Sequence, residues 1–381
     1  MIKIDSQYLL ETLKQMVRIH SVVPYEEKMA EFIAEEIRKL GLEPEWHEVA
    51  PGRPNVYASA NLGPSGKFLT LTGHTDTVDV AHNWQTDPFE PVERNGRLYG
   101  LGSMDMKAGL ACALAAFKAL VEARDLYGTL GRLGFAATVD EEAYGTGARA
   151  LLQTEYGKSD AMLLGEPMND PLPLGITGKV LYKLTVLGRA AHGFYPQRGV
   201  NAVEDAGRIV AALDQINFVD HLAFGKGNIC TLKIEGGYKE YAVVVPELCE
   251  VIITRLTVPG ENRETAVSDM HALIDSLNLQ SEVTIETPPP FYDPYLMTGN
   301  EPIFAAFNPA YEQIVGQPPR YGVSMGITDS NIYVAEGNIP TIVFGPRGHG
   351  PHEANEYVEI ETLEPVARVY AETAVSFLAA S

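Results

Sequence analysis

KFLTLTGHTDTV, residues 67–78, alternates apolar side chains with threonines up to Gly73 and then presents His74 and Asp76 two positions apart. The alternation reads as a β-strand that ends at Gly73. A buried strand that hands an imidazole and a carboxylate to its own end is one half of a site. Alone, such a histidine reads as a hydrogen-bonded core or loop residue. The reading changes if other strands end in the same way.

Strand-like runs NVYASANL, GRLGFAATV and AMLLGE flank that stretch, with helical patterns over 26–40, 107–124 and 145–155. Strands alternating with helices predict an α/β domain with a mixed, mainly parallel sheet and helices on both faces. The Pro/Gly-rich GEPMNDPLPLGITGK (165–179) reads as a connection, and the rhythm then changes. A strand (KVLYKLTVLG), a helix, two strands (GNICTLKIEGG and YAVVVPELCEVIITRLTV), a helix and a strand (SEVTIET) give βαββαβ, an α+β ferredoxin-like order complete in itself. PPPFYDPY (288–295) marks a second hinge, after which helix 302–316, strand IPTIVFG and helix 361–379 resume the first pattern. The expected organisation is a discontinuous domain of residues 1–176 and 290–381 with an inserted domain of 177–289.

The length of 381 residues favours two domains, and 45% hydrophobic with 21% charged residues is ordinary globular composition. A formal net charge of -21 argues against nucleic acid or an anionic membrane as partner. The N-terminal 21 residues read as an amphipathic helix with neither the apolar core nor the cleavage site of a signal peptide. GLACALAAFKALVEA (109–123) is too short and too charged to span a bilayer. Cys112, Cys230 and Cys249 are an odd number in apolar surroundings, which predicts buried free thiols and a cytoplasmic protein.

With the strands placed, other polar groups emerge where α/β strands or loops run out. Asp105 lies in LYGLGSMDMKAGL before a helix, Glu141 and Glu142 follow GFAATVD, Glu166 follows AMLLG, and His352 lies in the loop after IPTIVFG. The carboxyl edge of such strands is where open α/β sheets bind ligands. So many carboxylates in one cleft repel unless cations neutralise them. If Asp105 bridges, each of two metals receives one imidazole, one terminal carboxylate and a share of the bridge. Oxygen and nitrogen ligands without thiolate suit two divalent ions, Zn²⁺ first, with Co²⁺ or Mn²⁺ as alternatives. Asp76 is placed to orient the His74 ring. One of Glu141 and Glu142 can ligate while the other serves as general base for an attacking water; spacing alone does not say which. GTLGRLG (128–134) precedes a strand and is not a nucleotide loop.

The ordered motifs GHTDTV, GLGSMDMKAG, DEEAYG, GEP and PHEANEY resemble those of the M20 metallopeptidase family, over nearly the whole chain. The resemblance implies a dinuclear-metal hydrolase in which His74, Asp105 and Glu166 hold one metal and Asp105, Glu142 and His352 the other. It makes Glu141 the general base and Asp76 the residue that orients His74. GRAAHGFYPQRGVNA (188–202) is similar to the family segment whose histidine, here His192, reaches an active site, in many members that of a partner subunit. A homodimer through the inserted domain is therefore implied. Arg255 matches an arginine that binds substrate carboxylate, and GITDS places Thr328 and Asp329 in a loop near substrate. Val243 and Ile327 depart from the asparagine and glycine common in relatives and bear on substrate choice.

The activity so implied is amide hydrolysis of an N-acyl amino acid, in the manner of acetylornithine deacetylases and desuccinylases. Dipeptidase or carboxypeptidase action on short peptides is the alternative. A catalytically silent metal-containing binding protein is the remote one.

Overall fold

The computed structural model describes residues 2–167 and 170–379, so Met168 and Asn169 of the expected connection lie outside the described residues. The chain forms two compact units: residues 1–175, 297–323 and 328–381, and residues 176–296 with 324–327.

The first unit is built on a six-stranded sheet in the order Glu45–Ala50, Arg53–Asn61, Arg132–Thr138, Phe68–His74, Ala161–Leu164, Thr341–Val343. The last four run parallel and the first two pair antiparallel at one edge, a mixed and mainly parallel sheet as expected. Every residue of Phe68–His74 is buried. Successive side chains of a strand point to opposite faces, so this strand is covered on both. Helices Lys107–Glu122 and Leu363–Ala379 pack against it, while Glu27–Lys39 packs on Arg53–Asn61. The strand runs one residue further than Gly73, so His74 is its last member and inherits the rigidity of the ladder.

The first turn of Lys107–Glu122 lies directly against the chain leading to Glu166. A Cβ on Gly109 would sit 1.8 Å from the Gly165 carbonyl oxygen, so only two glycines permit this approach. The N-terminal helix is shorter than its pattern, Ser6–Arg18, because Asp5 caps it by accepting from the Tyr8 N–H at 3.0 Å. Leu9, Leu13, Met16 and Val17 form its buried stripe.

The second unit has the βαββαβ order, with Gly178–Leu187, helix Ala202–Ala211, Asn228–Gly236, Leu248–Thr257, helix Arg263–Ser276 and Glu282–Glu286. Its sheet order is Asn228–Gly236, Leu248–Thr257, Gly178–Leu187, Glu282–Glu286, antiparallel throughout. Val180, Tyr182, Leu184 and Val186 alternate into a core with Cys249, Val251, Ile253 and the helix residues Ala206, Ile209, Ala266 and Met270. The strand expected from Tyr241 begins only at Leu248. Residues 243–245 instead pair with the 191–193 loop, through Gly193 N–H to Val243 O and Val245 N–H to Ala191 O, both 2.8 Å. Pro246, with no N–H to give a ladder, follows. A short hairpin, Asp220–His221 with Gly225–Lys226, was not expected.

Cys112 and Cys249 are buried free thiols, whereas Cys230 is exposed because it lies on an outer strand of the second sheet. Among the described residues no helix is long and apolar enough to cross a membrane.

Candidate metal centre

His74 closes its strand with its ring fixed. Its Nδ1 donates to the main-chain carbonyl of Asp76 at 2.9 Å, which directs Nε2 toward a cluster of acids. The Asp76 carboxylate, expected to orient the ring, stands beside it at a longer distance than the carbonyl. Its Oδ1 is 3.6 Å from Nδ1, while its Oδ2 accepts the Glu142 N–H at 3.0 Å, tying two strand ends together. Asp76 thus meets the ring twice, by its carbonyl at hydrogen-bond distance and by its carboxylate at a longer one.

His74 Nε2 lies 3.4 Å from Asp105 Oδ1, 3.7 Å from Glu166 Oε1 and 3.9 Å from Glu141 Oε2. On the other side of Asp105, Oδ2 is 3.5 Å from His352 Nε2, which lies 3.0 Å from Glu142 Oε2. Asp105 therefore stands between two imidazoles, one on each oxygen. Among the described residues three groups bring ligand atoms within 4.8 Å of one another: His74, Asp105 and Glu166; Asp105, Glu142 and His352; and His74, Glu141 and Glu142. His352, with a positive φ of 63°, is the open side of the cluster, its side chain 54% exposed.

The electrostatics of so many acids are severe. Burial, and then the charge of Glu166, push Glu141 well above the ordinary carboxylate range, and burial does the same to Glu166. Burial opposes ionisation of Asp105 too, but the His352 and His74 imidazoles on its two sides outweigh it and hold that carboxyl well below its usual value. Hydrogen bonds to Asp105 and Glu142 push His352 up to about 10. Burial lowers the affinity of His74 for a proton, yet Asp105 and the other acids outweigh it. Meanwhile His74 Nε2 and Glu166 Oε1 are buried without any hydrogen-bond partner among the described residues. An orphaned buried polar atom costs about 1–3 kcal/mol. Divalent cations answer both problems at once, so the donor set fits them.

The turn carrying Glu141 and Glu142 is held from behind. Asp140, at φ 71°, accepts from Arg53 at 2.8 Å and from the Thr146 hydroxyl at 2.6 Å, and Arg53 also pairs with Glu26. Asn55 accepts the Val139 N–H at 2.9 Å and donates to Gly147 O at 2.8 Å, bracketing the turn. Neither residue was singled out from sequence, since an Asn in a strand carries no signal of what it braces.

Residues 70–376 match the family model for peptidase family M20/M25/M40. The chain belongs to that family. It is 26% identical over 381 residues to the succinyl-diaminopimelate desuccinylase of Nitrosospira multiformis, covering 97% of this chain and 98% of the relative. Among solved structures it resembles aminopeptidase PepT from Bacillus cereus, with TM-score 0.80, 19% identity and coverage of 98% and 99% of the two chains. A dinuclear metal binding M20 peptidase from Bacillus subtilis matches with TM-score 0.73, 16% identity and 98% coverage of each. The two structural likenesses establish the dinuclear-metal hydrolase fold, and the family makes the chain a metallohydrolase acting on amide bonds.

The remaining residues of interest are placed differently. His192 is exposed in the second unit, its Nδ1 accepting the Phe194 N–H at 3.2 Å. Arg255 is fully buried there and paired with Glu261 at 2.7 Å and Asp269 at 2.9 Å. Thr328 and Asp329 are buried as well. Thr328 accepts the Ser330 N–H at 3.1 Å, and Asp329 Oδ2 accepts from Thr138 at 3.2 Å. Val243 packs on the His192 loop, where a Cβ on Gly193 would meet its Cγ1 at 2.9 Å.

Proposed function

We propose that the protein is a dinuclear metal-dependent amidohydrolase that cleaves N-acyl amino acids. The observation that carries this reading is Asp105, with one carboxylate oxygen facing His74 and the other facing His352. In it, His74, Asp105 and Glu166 hold one cation and Asp105, Glu142 and His352 the other, with Zn²⁺ first and Co²⁺ or Mn²⁺ as alternatives. Two such cations supply Lewis acidity to the amide carbonyl and ease the deprotonation of water. Glu141, in neither of those sets, accepts the proton of the attacking water and passes it to the departing amine. His192 offers an N–H to the developing oxyanion.

The desuccinylase relative supports the deacylase reading, because the likeness covers nearly the whole of both chains. Peptidase action on short peptides is the second reading, favoured by the named activity of the structural relatives. A screen of N-acetyl, N-succinyl and N-formyl amino acids beside dipeptides, with Zn²⁺, Co²⁺ and Mn²⁺ supplied separately, decides between them. Release of free amino acid from the acylated set, abolished by a chelator, is expected. Turnover confined to dipeptides would replace deacylase by dipeptidase, and silence across the whole panel would leave a binding protein.

We also propose a homodimer through the second unit, in a reducing compartment that keeps its three thiols free. Asn228–Gly236 is an outer strand of its sheet, with Leu232 58% and Ile234 49% exposed. A free edge carrying apolar side chains is a template for pairing. Leu232→Lys with Ile234→Lys should shift sedimentation from dimer to monomer; an unchanged sedimentation coefficient would remove this edge from the interface.

A further inference from the structure

The chain between strand Arg97–Tyr99 and helix Lys107–Glu122 carries Asp105, yet it has no regular structure of its own beyond tight turns. Its backbone donors converge on one distant residue. The Glu356 carboxylate accepts the N–H of Gly102 at 2.7 Å on one oxygen. Its other oxygen accepts those of Met104 and Asp105, at 2.7 and 2.9 Å. The main-chain carbonyl of Glu356 takes the Gly100 N–H at 3.2 Å. Four donors of a six-residue stretch therefore end on a single side chain and its carbonyl. Glu356 is itself buried.

Burying a carboxylate is costly unless its lone pairs are filled, and three charge-assisted N–H bonds fill them. The same residue stands four positions after His352 and directly before Tyr357–Glu359, the strand that pairs with Arg97–Tyr99. The intervening turn is closed by Glu353 N–H to Gly350 O at 2.9 Å and anchored by Gln85 N–H to the Asn355 side chain at 2.8 Å. Glu356 thus joins the loop of the shared carboxylate to the loop of the outer imidazole, although its partners lie 251 to 254 residues away in sequence.

We propose that Glu356 is the positioning residue of the metal centre, a clamp that sets the spacing of Asp105 and His352 by binding the 100–105 backbone. It touches no cation or substrate and acts through those two residues. The proposal rests on the metal-centre reading, and its test separates the two.

Glu356→Gln is nearly isosteric but keeps only one acceptor oxygen and turns an NH₂ toward N–H donors. Co²⁺ is titrated into metal-free wild-type and variant protein, following the visible spectrum and bound stoichiometry, and melting temperatures are recorded with and without Co²⁺. The variant is expected to bind at least one Co²⁺ about 10–100-fold more weakly. An altered cobalt spectrum and a smaller metal-induced rise in melting temperature should accompany that loss. A merely structural role would lower the melting temperature of the metal-free protein while leaving affinity, spectrum and increment as in wild type, and that result overturns the clamp. Failure of wild type to bind Co²⁺ would instead overturn the metal centre itself. If the Gln variant does not fold, Glu356→Asp, whose retracted carboxylate cannot reach all three donors, takes its place in the same titration. Weakened Co²⁺ binding then supports the clamp, and wild-type affinity and spectrum overturn it.

Discussion

Glu141→Gln should retain two bound metal ions and lose turnover by about 10²–10⁴-fold. The substitution keeps the length and volume of the side chain and removes only its ability to take a proton. Glu141 Oε2 approaches His74 Nε2 at 3.9 Å, the longest of that imidazole's contacts with the acids around it. Its neighbour Glu142 is turned the other way, to His352. Yet His74, Glu141 and Glu142 also gather as a candidate ligand group, so the assignment has a competitor within the same cluster. Metal analysis distinguishes them. If Glu141 is a ligand, the Gln variant loses one equivalent of metal together with its activity; if it is the base, metal stays and chemistry goes. Normal turnover in the variant would contradict both. The corresponding change at Glu142 should cost metal first, because Glu142 and Asp105 are the carboxylates beside His352.

How far the sequence could be read depended on whether a side chain or the backbone does the work. His74, Asp105, Glu141, Glu142, Glu166 and His352 could be brought together in advance because each follows a strand or opens a helix of one α/β domain, and parallel strands share a carboxyl edge. Glu356 could not be placed, since its partners are main-chain N–H groups some 250 residues away, with |i−j| of 251 to 254. For the same reason Asp76 was read through its carboxylate although its carbonyl holds the ring. Tyr241 to Glu247 has the composition of a strand, but pairing with the 191–193 loop and the proline within it decide its path. Arg255 is a different case, since its register is legible in the strand that carries it. In LCEVIITRLT the residues Cys249, Val251 and Ile253 face the helices, and a period of two puts Arg255 on that same face.

That register leads to the second large effect. Arg255→Ala should destabilise the second unit by about 3–5 kcal/mol, the usual cost of leaving one half of a buried ion pair alone. Glu261 is the residue left behind. Its side chain is 3% exposed, and among the described residues its two oxygens otherwise take only the Val219 and Val258 N–H groups, at 3.2 and 3.1 Å. Asp269 is more open and can turn to water, so most of the penalty falls on Glu261. The Phe218 ring, 5.1 Å from the guanidinium carbon, loses its cationic neighbour as well. Thermal unfolding should therefore shift downward by roughly 10 °C. Below the transition, KM for acylated amino acids with a free carboxylate should rise no more than for their amides. Arg255→Lys should recover only part of the loss, because an ammonium cannot span two carboxylates as a planar fork does. Combining Arg255→Ala with Glu261→Gln should cost much less than the sum of the two changes, since the second removes the charge that the first exposes. Unaltered melting together with a KM increase selective for carboxylate-bearing substrates would reverse the assignment and make Arg255 a substrate ligand.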